Sequence, residues 1–172
     1  MKIKNKGIAA FALTLLFTSM ANAGDGTINF TGEIVAATCT VAGSSGSTVD
    51  VQLGKINKSA LPAQGSTASA TMFTIGLNSC DSSITKAQVS FDGTGDSTNQ
   101  SLLAVTGGAS GVAIGIYEAD GTTQLPLFTK SKAITINNGA GAFNFVAKYV
   151  ATNASIVVGK ANSSATFSVA YQ

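Results

Sequence analysis

The sequence predicts an all-β sandwich. Three observations carry that reading. Short segments alternate apolar and polar residues with a period of two. Clusters of Gly, Ser, Asp and Asn separate them at fairly regular intervals. No window shows a convincing 3.6-residue apolar period. Several short alternating strands between turn signals are the pattern of a sandwich rather than a helical or mixed fold.

The first 23 residues stand apart. Lys2, Lys4 and Lys6 give a positive start, "GIAAFALTLLF" (7–17) is apolar, and "ANA" (21–23) supplies small residues at a cleavage point. This is the pattern of a secretory signal peptide cut after Ala23. The apolar stretch is short of the ~20 residues that span a bilayer. The expected organisation is therefore a signal peptide over 1–23, an N-terminal extension over 24–35 and one domain over 36–172. A single domain fits, since domains commonly run to about 100–150 residues.

Removing the signal leaves seven lysines against eight acids, a net charge of −1, with no arginine and no histidine anywhere. A nucleic-acid surface needs a clustered basic patch, and the sequence shows none. Without histidine no Ser-His-Asp or Cys-His arrangement can form. Asp92, Asp96, Glu118 and Asp120 are scattered through turn-like sequence, the usual home of aspartate in β proteins. "DGTGDSTN" (92–99) lacks the terminal acid of a calcium loop, and no helix follows its glycines to make a phosphate site. The expectation is no enzyme, no metal and no cofactor.

The elements follow in order. "GDGTINFTGEIV" (24–35) places Ile28, Phe30, Gly32 and Ile34 on one face, with Thr27, Asn29, Thr31 and Glu33 on the other. It is an amphipathic strand with a glycine in its apolar face and no evident partner. "TCTVA" (38–42) and "TVDVQLG" (48–54) read as strands around the turn "GSSGS" (43–47), and "LPAQGSTASA" (61–70) reads as a loop. "TMFTIGLNSC" (71–80) is a strand whose register is ambiguous. "KAQVSF" (86–91), "SLLAV" (101–105), "VAIGIYEA" (112–119), "KAITI" (132–136) and "FNFVAKYVA" (143–151) are further strands. "DGTTQ" (120–124) carries a hairpin-like Asp-Gly. "ATFSVAYQ" (165–172) alternates to the last residue, with Ala165, Phe167, Val169 and Tyr171 on one face.

Cys39 and Cys80 are the two cysteines. In an exported chain they are expected to form a disulfide; the alternative is two unrelated buried thiols. The first strand lacks a partner and the last lacks a successor. Such a sandwich exposes an edge, and exposed edges are templates for pairing with another chain. Donation of the N-terminal strand to the next molecule satisfies both ends.

In order and spacing, "TINFTGEIVAATCTV" (27–41), "TMFTIGLNSCD" (71–81), Gly159 as the fourteenth residue from the end, and "FSVAYQ" (167–172) with its penultimate Tyr171 resemble the pilins of the bacterial chaperone–usher pathway, most closely the major rod subunits of type 1 fimbriae. That resemblance implies an incomplete immunoglobulin-like sandwich lacking its final strand, completed in trans by a donor strand. It implies Ile28, Phe30, Gly32 and Ile34 as the donor residues. Gly159, Phe167, Val169 and Tyr171 would belong to the acceptor groove and chaperone contact. The implied partners are copies of the chain, other fimbrial subunits, a periplasmic chaperone and an outer-membrane usher. The implied destination is a fimbrium on the bacterial surface, reached through the periplasm. A minor adaptor subunit, or a small secreted carbohydrate-binding sandwich, is the alternative.

Overall fold

The computed structural model describes residues 29, 31, 38–42 and 48–172. Ile28, Phe30, Gly32 and Ile34 lie outside the described residues. Among the described residues eight strands follow in chain order: β1 (Thr40–Ala42), β2 (Thr67–Asn78), β3 (Lys86–Asp92), β4 (Leu103–Ala104), β5 (Val112–Glu118), β6 (Ile134–Thr135), β7 (Gly141–Ala151) and β8 (Thr166–Tyr171). A 3-10 turn, Lys58–Ala60, is capped by Asn57, whose side-chain oxygen accepts the Ser59 N–H. The strands form a five-stranded sheet in the order β1-β2-β7-β5-β4 and a three-stranded sheet in the order β6-β3-β8. Every ladder pair in both is antiparallel.

Alternation places the core. Along β2, Phe73, Ile75 and Leu77 turn inward while Met72 is 79% exposed, which fixes the register that the sequence left open. From β3, Ala87, Val89 and Phe91 turn toward the same core, and from β7 Phe143, Phe145 and Ala147. Four phenylalanines meet there. The Phe91 ring lies 5.2 Å from Phe145, 6.1 Å from Phe73 and 6.4 Å from Phe167 between centroids. Aromatic pairs at such spacings add to the burial of their area.

β5 is buried at all seven positions. A second apolar cluster of Leu102, Ala113, Tyr117, Val146 and Val150 explains this, because it includes outward-facing residues of β5 and β7. A strand covered on both faces reads as a continuous apolar run.

Three expectations need correction. Residues 67–70 are strand, not loop. The β2–β7 register shifts between Ala68 and Thr71, and Ser69 has φ +59°. This bulge breaks the alternation that a sequence reading depends on. The strands expected over 101–105 and 132–136 shrink to two residues each. Residues 49–56 have no strand partner among the described residues, although "TVDVQLG" reads as a strand.

Two expected turns are present, while the one expected over 43–47 lies outside the described residues. Tyr117 and Gln124 bridge around Asp120-Gly121, and the Asp96 carboxylate accepts the N–H groups of Thr98 and Asn99.

Candidate functional site

The last strand presents an open edge. Lys86 and Gln172 exchange both backbone hydrogen bonds, at 2.9 and 2.8 Å. In an antiparallel ladder such pairs alternate with pairs that do not bond to each other. In the β3–β8 register, Gln88–Ala170 and Ser90–Ser168 therefore bond mutually. Phe167, Val169 and Tyr171 turn their N–H and C=O groups away from β3. Among the described residues no strand pairs with that other edge. The same three side chains are half-buried against the core.

The stretch before β8 continues this wall. Val157 exchanges bonds with Ser110, Lys160 with Gly107 and Ala109, and Asn162 with Thr106. Gly159 packs close to the 108–109 backbone. A Cβ there would sit 2.5 Å from Ala109 N and 2.5 Å from Gly108 C. Glycine is thus required at 159 by the approach of two backbones. Gly159→Ala is expected to destabilise the subunit by about 1–3 kcal/mol, the usual cost of overpacking. A urea midpoint unchanged from the unsubstituted chain would refute this.

The facing wall is the extended segment 49–56. Val49, Val51, Leu53 and Ile56 lean half-buried on the core. No backbone–backbone bond of 49–56 is made among the described residues. Side chains hold it instead: Ser69 Oγ donates to the Leu53 carbonyl, and Tyr149 Oη to that of Gly54 at 3.4 Å. The bulge in β2 thus places Ser69 where it anchors the wall.

Two cavities lie between these walls. One of about 690 Å³ is lined by Val49, Val51, Leu53, Phe91 and Phe167 among others. The other, of about 590 Å³, is lined by Gly54, Ile56, Leu61, Tyr149, Ile156 and Gly159 among others. The linings meet at Leu53–Gly54 on one wall and Asn162–Ser163 on the other, so the cavities form successive parts of one groove. Its floor is the sandwich core. Phe167 and Gly159 mark different parts of it, while Val169 and Tyr171 carry the open edge onward along β8. Sequence reasoning missed the wall 49–56 as a groove element. The alternation of Val49, Val51 and Leu53 was visible, but not that they would lack a ladder.

Cys39 and Cys80 form a disulfide across the start of β1 and the end of β2. The carboxylates with lowered pKa serve turns. Asp81 is held down by bonds from Ser83, and Asp120, well below the usual carboxylate range, by bonds from Thr123 and Thr122. Burial raises the Tyr117 hydroxyl. None of these groups lines the groove.

The architecture defines an immunoglobulin-like sandwich short of a strand, with an edge along its last one that no other strand pairs with among the described residues. The chain belongs to the fimbrial protein family, whose model matches residues 28–172. It is 41% identical over 187 residues to the type-1 fimbrial protein A chain of Escherichia coli, covering all of both chains. It is 37% identical over 176 residues to long polar fimbria protein A of Salmonella typhimurium, covering 99% of this chain and 98% of that one. Among solved structures it resembles the type I fimbria protein BPSL1626 of Burkholderia pseudomallei, with 39% identity and a TM-score of 0.62 over 85% of this chain and 97% of that one. The P pilus rod subunit PapA shares the fold at 21% identity and a TM-score of 0.67, over 79% of this chain and 100% of that one. The chain is a structural pilin of fimbriae assembled on the cell surface.

Proposed function

We propose that this subunit polymerises by donor-strand exchange. The observation that carries the proposal is the open edge of β8 beside an apolar groove whose other wall also lacks a ladder. A strand laid there would pair with both backbones and cover the core, which is β-strand addition. The donor is the segment 24–35, which offers Ile28, Phe30, Gly32 and Ile34 on one face. Residues 1–23 act as the export signal. Before assembly a periplasmic chaperone covers the groove, and at an outer-membrane usher the next subunit's segment takes its place. Type-1 A chains and major long polar fimbrial subunits are similar over nearly the whole chain, which supports the role of major rod subunit. The subunit is a building element and catalyses no reaction.

Denaturing electrophoresis of the assembled protein without boiling tests this reading. A ladder of high-mass bands that collapses on boiling is expected, as is its absence after deletion of residues 24–35. A lone monomer band from intact fibres would sink the proposal. A second test addresses Gly32. The missing Cβ fits a shallow point of the groove, so Gly32→Leu should weaken donation by about 1–3 kcal/mol through overpacking. Its own groove is unaltered, so it should still accept a wild-type donor peptide. Equal uptake of the unsubstituted and the Gly32→Leu donor peptides by wild-type chain would remove this role for the glycine.

A further inference from the structure

Three of the seven lysines beyond residue 23 gather at one part of the groove. Lys55 comes from the wall 49–56, Lys58 from the 3-10 turn just after it and Lys160 from the stretch before β8, and all three line the cavity beside Gly159. All three are exposed. Among the described residues none forms an ion pair, the one salt bridge being Lys132–Asp120. Among the described residues no acid lines this cavity, whereas the only charged one lining the adjoining cavity is Asp50. The groove is therefore electrically polar along its length.

The donor segment has the opposite character. Residues 24–35 contain two acids, Asp25 and Glu33, and no lysine. Both sheets are antiparallel throughout, and a strand continuing that pattern would run against β8. With Glu33 opposite Lys160 in that direction, Asp25 would fall opposite Ser168, eight residues further along. We infer that Lys55, Lys58 and Lys160 form a cationic rim that selects the identity of the incoming strand through Glu33 of the donating copy. Glu33 falls on the polar face of the donor, opposite Ile34's face, so it can meet exposed lysines while the apolar residues enter the groove. The inference rests on strand donation and adds to it a charge criterion: an acidic donor end is favoured and a basic one opposed.

Rim charges act chiefly on association rate and on rejection of wrong partners. Their reach shrinks from about 10 Å at 0.1 M salt to about 3 Å at 1 M. The test measures uptake of fluorescent peptides of residues 24–35 by dilute, full-length chain. The peptides are wild type, Glu33→Gln and Asp25→Asn; the acceptors are wild type and a Lys55→Gln, Lys58→Gln, Lys160→Gln triple variant. At low salt, wild-type peptide should enter the wild-type groove about 3–10-fold faster than the Glu33→Gln peptide, within the range of electrostatic steering. The Asp25→Asn peptide should behave as wild type. The preference should vanish at 1 M salt and in the triple variant. The lysines are exposed, so circular dichroism of the triple variant should match wild type; if it does not, Lys160→Gln alone should show a reduced preference. Equal uptake of the wild-type and Glu33→Gln peptides would overturn the inference and leave strand donation standing. A preference that follows Asp25 instead would overturn it too. Failure of every peptide to enter would defeat both readings.

Discussion

Cys39→Ser is expected to lower the stability of the folded subunit by about 2–5 kcal/mol, the usual cost of removing a disulfide from a small secreted domain. The bridge closes a separation of 41 residues. β1 is three residues long and among the described residues pairs only with β2. Beyond β1 comes the groove wall 49–56, which makes no ladder among the described residues. The disulfide therefore fixes the start of the segment that forms one side of the groove. Urea unfolding of the purified chain reads the loss. Cys80→Ser should cost the same, and the double variant little more, since both remove one bridge. A single variant within about 0.5 kcal/mol of the unsubstituted chain, the range of an ordinary surface change, would contradict this role.

Phe91→Ala should cost about 3–5 kcal/mol, as for other buried phenylalanines. Phe91 is 5% exposed and lies between rings from β2, β7 and β8. It also lines the floor of the larger cavity. Deleting its ring both hollows the core and removes the support of Phe167, so groove and core should weaken together. Phe91→Leu, which leaves a smaller void, should cost distinctly less. A loss under about 1 kcal/mol for the alanine variant would mean the site collapses without penalty, and would contradict the packing described above.

Much of the fold was legible because strand chemistry is local. "KAQVSF" and "FSVAYQ" alternate cleanly, and they pair as β3 and β8 with Val89 opposite Val169. The run "VAIGIYE" reads as a strand, yet nothing in the sequence announces that Leu102 and Val146 belong to a second apolar cluster that buries its other face. The start of β2 was misread because the bulge at Ser69 interrupts the alternation, and a bulge there anchors a segment sixteen residues earlier through Leu53. The wall 49–56 has the composition of a strand but no ladder partner among the described residues, a fact of tertiary arrangement. The lysine rim joins positions 55 and 58 to position 160, a separation that no local pattern spans.

The open edge of β8 and the segment 24–35 are different stretches of the chain, and this sets the symmetry of anything built by strand donation. A contact between unlike surfaces is heterologous, and it yields a closed ring or an unending row. Each copy added along a row leaves the same unfilled slot at one extremity and the same unused strand at the other. A fibre built in this way would be directional, with two chemically distinct tips, and a molecule that carries half of the joint would stop it at either one.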